Sequence, residues 1–402
     1  MKINDYISIT FLYPSYKIGG AQLLFIRLAI ELSKYNNILV NVVDYPGGYL
    51  ESKLKNYNKI KIISYENGYI ELSEETVVIT PLSNFADLKY MIKGDFRKIK
   101  ILLWAIQPTN INYVLNSNGR NWLGGKFLVK EFLKTLSRYG NILFMDEANF
   151  LAVKNVININ NSHEYLQIPV EIKDYNLDDK CQTDKCQTDN INLAWLGTVT
   201  VNKIYPLIKI IDEIKSYEHS KKIFFHIIGK GEYMSQLETY LKKSKINYVL
   251  AGTLEDEQLS LYIKKYIQIG VAMGTSCIEF ALRKVPAFLI DFSEKRFPKN
   301  IKYNWLFETK HYTLGSHINE SSNRNHNFCS ILNQYRNDSS IGEKCYEYVR
   351  NNHDIKKVAI KLISHCNDLK PIDVFKFNKI QKLLNPPIYY CLYYLYRKLK
   401  KL

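Results

Sequence analysis

Four glycine-containing turns combine residue types that are suited to binding a phosphate group. Each turn lies between a short apolar segment and a longer segment with helical spacing, and two of them contain a lysine. The turns contain Gly19 and Gly20; Gly197 with Lys203; Gly229, Lys230 and Gly231; and Gly274, Thr275 and Ser276. Glycine lets the backbone approach a ligand closely, and a helix N-terminus directs N–H groups and partial positive charge at an anion. The repeated combination predicts a bound anion, and we expect a diphosphate.

The segment 271–291, VAMGTSCIEFALRKVPAFLID, contains the last of these turns between two apolar runs. Ser276 and Glu279 form an S-x-x-E pattern, which is typical of a capping box in which both side chains satisfy backbone groups at a helix start. The same turn is suited to a nucleotide, because small residues leave N–H groups open to an anion. The pattern favours both interpretations, a helix cap and a nucleotide site.

Lys203 lies where the first turn of a helix is predicted. It can be an ordinary solvated lysine. A cation is nevertheless unfavourable at the positive end of a helix dipole, so the position mildly favours a bound anion beside Lys203.

Three further polar residues have simpler structural explanations. His226 lies inside the apolar segment FFHIIG, so we expect a hydrogen-bonded core histidine rather than a catalytic one. Asp146 and Glu147 follow a predicted strand and can face a ligand. An acidic pair at the start of a helix is the simpler account, because it complements the helix dipole.

Apolar runs of strand length alternate with helical patterns along most of the chain. The predicted strands of the first half are ISITFLY, ILVNVVDY, TVVITP, ILLWAI and NILFMD, with helices such as AQLLFIRLAIELSKY and GKFLVKEFLKTLSRY between them. Those of the second half are INLAWLG, KIFFHIIG, NYVLAG, IQIGVAMG and VPAFLID. Continuous apolar strands that alternate with helices indicate parallel sheets covered on both faces, so the fold class is α/β.

The alternation is interrupted by a polar stretch that predicts a domain boundary. Residues 171–190 contain the tandem repeat KCQTD KCQTD, and a surface linker explains this better than a metal site at Cys181 and Cys186. The predicted domains are 1–170 and 191–367, followed by a tail at 368–402. Open parallel sheets bind ligands at the carboxyl ends of their strands, so we expect a cleft between two such sets.

Composition places the chain among soluble globular proteins. It has 402 residues, of which 46% are hydrophobic and 23% charged, and its seven scattered cysteines fit a reducing cytoplasm. We find no signal-peptide pattern and no apolar run long enough to span a bilayer. The net charge of +16 allows nucleic acid, an anionic membrane or anionic small substrates as partners. No aromatic-basic motif supports nucleic acid, which we therefore do not expect.

The chain resembles the family-4 glycosyltransferases of the GT-B fold. The resemblance extends over most of residues 5–366 and is clearest in IGGAQ, LGTVTVNK, FHIIGKGE, AGTLEDEQL and GVAMGTSCIEFALRKVPAFLID. It implies two Rossmann-like parallel-sheet domains facing across a cleft, with the acceptor side in the first and the nucleotide-sugar site in the second. It also implies transfer of a sugar from a nucleotide donor with retention of anomeric configuration, in a hexosyltransferase-type reaction.

The resemblance implies roles for individual residues. Gly19, Gly20, Lys203, Gly274, Thr275 and Ser276 would contact the donor phosphates; Gly229, Lys230 and Gly231 would flank the nucleotide; and Glu279 would bind the ribose hydroxyls. Lys203 and Glu279 would thus be the principal catalytic residues. Fixed N–H dipoles and a lysine stabilise a leaving diphosphate without metal, and we find no Asp-x-Asp motif. We therefore expect no metal and no cofactor other than the donor itself.

Three positions differ from the family pattern. Thr198 occupies the place of an arginine, whose charge is either missing or supplied from elsewhere, for example by Lys230. Val271 occupies the place of the first of two glutamates. A histidine near the reacting sugar has no counterpart, and Gln107 and Asn110 lie where its loop is expected. We therefore expect the hydroxyls of the donor sugar to be bound by residues other than a glutamate at position 271.

The C-terminal tail has the pattern of an amphipathic helix on an anionic membrane surface. After Pro386 and Pro387, aliphatic residues form one stripe beside tyrosines, and four basic residues cluster at the end. A helix packed across the two domains is the alternative. A membrane position on the cytoplasmic face suits a lipid-linked saccharide acceptor, as in O-antigen or other cell-surface polysaccharide assembly. A GT-B nucleotide-sugar epimerase and a degenerate membrane scaffold remain as alternative functions.

Overall fold

The computed structural model describes residues 6–17, 19–72, 75–94, 97, 99–116, 123–159, 163–172, 190–318, 324–372 and 376–380. These residues form two compact units. The first contains the described residues up to Glu171 together with those from Ile355 onward, and the second contains those from Ile172 to Asp354. The predicted linker repeat and the membrane tail at 386–402 lie outside the described residues.

A six-stranded parallel sheet forms the centre of the first unit. Its strands are β1 (Ile7–Leu12), β2 (Ile38–Asp44), β3 (Ile60–Ser64), β5 (Thr76–Pro81), β7 (Ile99–Ala105) and β8 (Ile142–Phe144). Their spatial order is β3-β2-β1-β5-β7-β8. A separate parallel pair is formed by β4 (Ile70–Leu72) and β6 (Ile92–Gly94). Central strands such as β5 are buried along their whole length, which explains their continuous apolar sequence.

Besides a helical segment at residues 376–380, seven helices of the described residues belong to this unit. They are α1 (Gly20–Leu32), α2 (Tyr49–Leu54), α3 (Leu88–Met91), α4 (Asn110–Asn116), α5 (Leu123–Arg138), α6 (Glu147–Ile157) and, from the C-terminal part, α13 (Ile355–Asp368). The last helix lies in the range that we assigned from the sequence to the second domain. It packs against α1, and the Ile355 N–H donates to the carbonyl of Val170 over 2.9 Å.

The second unit has the same design. Its strands are β9 (Ile191–Leu196), β10 (Ile223–Ile228), β11 (Asn247–Gly252), β12 (Ile269–Ala272), β13 (Ala287–Leu289) and β14 (Asn304–Trp305). They lie in the order β11-β10-β9-β12-β13-β14, and all pairs are parallel except β13 with β14. Its helices are α7 (Val201–Ser216), α8 (Met234–Ser244), α9 (Asp256–Tyr266), α10 (Thr275–Leu282), α11 (Phe328–Asn337) and α12 (Ile341–Asn352).

Two Rossmann-like units with parallel sheets confirm the predicted fold class. Each sheet also has a topological switch point, where successive strands stop adding to one side and begin adding to the other. In the second unit the chain adds β10 and β11 beside β9, and then places β12 on the opposite side of β9. Crevices at such points, outside the carboxyl ends of the strands, are the general ligand sites of open α/β sheets.

Candidate functional site

The switch point of the second unit brings together two of the predicted glycine turns. Gly197 follows β9, and Gly274 follows β12, its neighbour in the sheet. A Cβ added to Gly197 would lie 3.5 Å from Nζ of Lys203 and 3.6 Å from Oγ of Ser276. The lysine of one turn and the serine of the other therefore flank the same glycine. An ammonium group beside the start of a helix is suited to an anion.

Lys203 lies in the first turn of α7 and is half-buried. Its Nζ donates to Oγ1 of Thr198 over 3.3 Å, and within the described part of the chain no carboxylate pairs with it. Burial lowers the pKa of Lys203, because removal from water disfavours the ammonium form. A bound anion would supply the compensating charge that no described residue provides at this point.

The start of α10 supplies N–H groups at the same place. Gly274 is the N-cap and has a φ of 61°, a left-handed conformation that favours glycine. Its N–H donates to the carbonyl of Leu314 over 2.7 Å. For Thr275 and Ser276, the described residues provide no acceptor to the backbone N–H groups. Gly274 thus shapes the turn, while the next two residues present the donors.

The capping-box interpretation of Ser276 and Glu279 is wrong. Ser276 lies inside α10 rather than at its N-cap, and no side chain caps this helix. The Glu279 carboxylate instead accepts a hydrogen bond from Nη1 of Arg283 over 2.8 Å. Arg283 is buried, and its Nε and Nη2 also donate to Oγ of Ser260 over 3.0 and 2.7 Å. Glu279 is therefore held by an ion pair on its own helix.

The turn after β10 packs tightly against the turn after β9. A Cβ on Gly229 would lie 2.1 Å from the carbonyl oxygen of Gly197, and one on Gly231 would lie 2.2 Å from that of Val199. Both glycines are thus required by backbone packing whether or not a nucleotide binds there. Both glycines follow the carboxyl end of β10, which neighbours β9, so they lie on the same sheet edge as Gly197.

Lys230 points to a different part of this edge than Lys203. A Cβ on Gly252, at the end of β11, would lie 3.5 Å from Cε of Lys230. β11 is separated from β9 by β10. The structure therefore places the Lys230 side chain at the β11 end of the site, and Thr198 with Lys203 at the β9 end. Replacement of the family arginine by Lys230 finds no support in this geometry.

Val271 lies in β12 and not in the turn that follows it. It is completely buried, with Trp195 and Phe288 beside it in the neighbouring strands. A carboxylate at this position would be enclosed in the core of the sheet. The side chain at position 271 therefore does not face the switch point.

Gly19 and Gly20 form the start of α1 in the first unit. Gly19 is the N-cap, and a Cβ there would meet Oε1 of Gln22 at 2.5 Å. Gly20 is exposed and has open space around its Cα. The first turn of α1 contains no acidic residue, so its N–H groups carry the positive end of the dipole without a compensating charge.

Gln107 and Asn110 lie in the turn between β7 and α4, also in the first unit. Gln107 is exposed, and its carbonyl accepts the N–H of Asn110 over 3.0 Å. Asn110 is buried, and its Oδ1 has no hydrogen-bond partner within the described part of the chain. A buried acceptor without a partner is costly, which marks this turn as a place where a donor group is required.

The structural explanations of His226 and Asp146 are confirmed. His226 is buried, its two ring nitrogens contact the Tyr262 hydroxyl at 2.8 Å and Oδ1 of Asn192 at 2.9 Å, and burial lowers its pKa to about 4. Asp146 is the N-cap of α6 and accepts the N–H of Asn149 over 2.9 Å. Burial raises the pKa of Asp146 to about 6.

Sequence reasoning missed Arg283 and Ser260 as partners of Glu279. The i, i+4 spacing of Glu279 and Arg283 is a signal for such a pair, whereas Ser260 comes from another helix and leaves no local signal. Within the described ranges, no three His, Cys, Asp or Glu side chains cluster as metal ligands. The helices described also include none long and apolar enough to cross a membrane.

The fold was compared with solved structures. HepE from Anabaena, in complex with UDP and glucose, matches with a TM-score of 0.58 at 11% identity over 90% of this chain and all of that one. TarM from S. aureus, as a variant in complex with fondaparinux, alpha-GlcNAc-glycerol and UDP, matches with a TM-score of 0.55 at 12% identity, over 90% of this chain and 99% of that one. A glycosyltransferase from Rickettsia africae has a TM-score of 0.54 at 12% identity, over 91% and 99% of the two chains.

This chain has the GT-B fold. At such identities the similarity concerns the fold alone. No protein-family model matches the sequence, and none of the curated proteins matches it. The roles of the individual site residues therefore rest on the geometry described above and on the motifs of the sequence.

Proposed function

We propose that this protein is a retaining glycosyltransferase that moves a sugar from a nucleoside-diphosphate donor to a saccharide acceptor. One observation carries the proposal. Lys203 is half-buried at a topological switch point and has no carboxylate partner among the described residues. Its Nζ and Oγ of Ser276, at the start of α10, both lie beside Gly197. A lysine beside open N–H groups is suited to a diphosphate. HepE and TarM, which share the fold, were each solved with UDP.

The proposed chemistry follows from these groups. The bond between the anomeric carbon and the diphosphate oxygen breaks, and its electron pair leaves with the diphosphate. The Lys203 ammonium and the N–H groups of Thr275 and Ser276 stabilise that developing charge. The acceptor hydroxyl attacks the same face of the sugar and passes its proton to the departing phosphate. These residues supply the positive charge for this step, and we propose that no metal takes part.

Other residues would position the donor. Gly229, Lys230 and Gly231 would flank the nucleotide base at the β10 and β11 end of the sheet, and Glu279 would bind the ribose. In the first unit, Gly19 and Gly20 would face the donor phosphates. Gln107 and Asn110 would contact the sugar or the acceptor, since the unpartnered Oδ1 of Asn110 can accept a hydrogen bond from a sugar hydroxyl.

We further propose that the acceptor is lipid-linked and that the protein acts in cell-surface polysaccharide assembly. The support is the sequence of residues 386–402, in which an aliphatic stripe, tyrosines and a basic cluster suit an anionic membrane surface. The enzyme would then lie peripherally on the cytoplasmic face of the membrane. Lys and Arg outnumber Asp and Glu by 55 to 39, which favours both this surface and an anionic donor.

Calorimetric titration with UDP and a panel of UDP-sugars tests the donor site directly. We expect Lys203→Ala to weaken UDP binding by about 10- to 100-fold, because a charge-assisted hydrogen bond is lost. Lys203→Arg keeps the charge and should lose less. Lys215→Ala is the matched control, because Lys215 is exposed in the last turn of the same helix.

A transfer assay with labelled nucleotide sugars and membrane lipid extract tests the reaction. The proposal expects a labelled lipid product that the Lys203→Ala and Glu279→Ala variants fail to form. Donor binding without any transfer would indicate a scaffold instead. Free epimerised donor would indicate an epimerase. Equal UDP affinity in wild type and Lys203→Ala would contradict the proposed site.

A further inference from the structure

A stacked pair of tyrosines lies at the carboxyl end of the first sheet. The rings of Tyr16, in the loop after β1, and Tyr45, directly after β2, are 4.6 Å apart between centroids and inclined by only 9°. Tyr65, directly after β3, meets Tyr45 edge-on at 5.5 Å and is buried. Three neighbouring strands thus each contribute one ring, and the innermost is fixed in the core.

The outermost ring is available to a ligand. Tyr16 is 55% exposed, and because Tyr45 covers one of its faces, the exposed area consists of the opposite face and the ring edge. Its hydroxyl has no hydrogen-bond partner among the described residues. Tyr16 therefore offers an apolar face and a polar tip together, the combination typical of tyrosines at binding surfaces.

The backbone beneath the ring is held in place by hydrogen bonds. The Ser15 N–H donates to Oδ1 of Asp44 over 2.7 Å, and the Ser15 carbonyl accepts the N–H of Tyr49 over 2.8 Å. Oδ2 of the same buried Asp44 accepts the N–H of Glu51 over 2.9 Å. The loop after β1 is thereby tied to the loop after β2, so little ordering would be needed when a ligand binds.

We propose that Tyr16 and Tyr45 form a stacking platform for a pyranose ring of the saccharide acceptor. This inference rests on the proposed transferase function. The axial C–H groups of a pyranose form an apolar face that packs on an aromatic ring, while its hydroxyls can bond the Tyr16 hydroxyl. Tyr16 also precedes Gly19 by three residues, a span of at most about 11 Å. A short saccharide on the platform would therefore reach the glycine turn proposed to face the donor.

Saturation-transfer NMR with methyl glycosides of glucose, galactose and N-acetylglucosamine tests the platform on the full chain. We expect wild type to saturate the axial C–H protons, and Tyr16→Ala to weaken binding by about tenfold because the stacked contact is lost. Tyr16→Phe keeps the ring and should remain within about threefold. Tyr57→Ala is the control, because Tyr57 is 41% exposed and, among the described residues, has no ring partner.

Calorimetry with UDP on the same variants separates the two proposals. The platform would be overturned if UDP binds but no saccharide signal is seen, or if the saccharide signals are equal in wild type and Tyr16→Ala. Neither result would contradict the proposed transferase function. Saccharide signals that depend on Tyr16 without UDP binding would support the platform and contradict the transferase. If Tyr16→Ala weakens only UDP, the platform holds the nucleobase. If it weakens only binding to phosphatidylglycerol vesicles, the platform faces a lipid surface. Either of these two results overturns the proposal.

Discussion

Arg283 has the best-defined structural role of any charged residue near the candidate site. It is buried and donates to both Glu279 and Ser260, so its removal takes one donor from a carboxylate and one from a hydroxyl in a partly enclosed site. Such losses are costly because the remaining groups cannot recover full hydration. In the proposed site, the ion pair with Arg283 holds the Glu279 carboxylate in position for the ribose.

We expect Arg283→Ala to lower the free energy of unfolding by about 2–4 kcal/mol. The neighbouring Lys284→Ala is the control, because Lys284 pairs with Glu343 on the surface and its loss should change stability by less than about 1 kcal/mol. Urea unfolding followed by circular dichroism measures both. Similar values for the two variants would show that the buried pair contributes no more than the exposed one.

His226 should make stability depend on pH. Its pKa falls from an ordinary 6.5 to about 4 in the folded chain, so between these values the unfolded chain binds a proton that the folded chain does not. The free energy of unfolding therefore decreases as pH falls from about 6.5 to about 4, by on the order of 3 kcal/mol from this group.

The test compares urea unfolding of wild type and His226→Gln at pH values across this window. The free energy of unfolding of the variant should fall less between pH 6.5 and about 4, because the contribution of His226 is absent. Asp146 acts in the opposite direction between its raised pKa of about 6 and its ordinary 3.8, because the folded chain there binds the extra proton. Its share is common to both proteins and cancels in the comparison. Parallel pH curves for the two proteins would refute the role of His226.

At the scale of elements, the glycine turns differ in what they require. Gly229 has a φ of 141° and its added Cβ would meet the Gly197 carbonyl oxygen, whereas Gly20 has open space and lies in the first turn of a helix. The same residue type is therefore needed for packing in one turn and is free of packing constraints in the other. Substitution by alanine can separate these two roles.

We expect Gly229→Ala to lower the thermal unfolding midpoint markedly, because backbone atoms would have to move to admit the methyl group. Gly20→Ala should leave it unchanged or raise it slightly, since alanine is the better helix former. If Gly20 faces the donor as proposed, its variant should weaken UDP-sugar binding while remaining stable. Equal loss of stability in both variants would contradict this distinction.

Element prediction succeeded where strands are buried and failed at the margins. The ten strands predicted from apolar runs are all present. Most of them are central strands of a parallel sheet, which are apolar on both faces, whereas β8 and β11 lie at sheet edges. The short or edge strands β3, β4, β6 and β14 were missed. The S-x-x-E pattern allowed a capping box as one of two interpretations, and the structure instead has Gly274 as the N-cap of α10, with its N–H bonded to the Leu314 carbonyl.

At the scale of the whole molecule, the C-terminal segment belongs to the first unit. Helix α13 buries Val358, Leu362 and Ile363, and Phe377 lies against Phe85 and Phe132. Phe377 thus packs on residues that lie more than two hundred positions earlier in the sequence. Residues 376–380 are helical and belong to this unit, whereas residues 386–402, for which we predicted either a membrane-surface helix or a helix packed across the two domains, lie outside the described residues.

Deletion of residues 355–402 should destabilise the first unit strongly, because large apolar side chains of α13 and its partners lose their contacts. Deletion of 386–402 alone should leave the thermal midpoint within a few degrees of wild type and reduce partition onto phosphatidylglycerol vesicles. Calorimetry and vesicle sedimentation measure the two effects. Unchanged partition after the shorter deletion would contradict the membrane role of the tail.

The linear order of residues was enough to predict two α/β units, and it also marks the turns at which we propose that a phosphate binds. Strand burial and helix starts leave local periodic signals, and glycine and lysine at a strand-to-helix turn mark such sites. Which turns meet depends on strand order, which no local pattern encodes. Only the packed sheet places Lys203 and Ser276 beside Gly197, encloses Val271 in β12, and attaches Arg283 to Ser260. These contacts join residues distant in sequence, so they arise when long-range burial and hydrogen bonding select one topology.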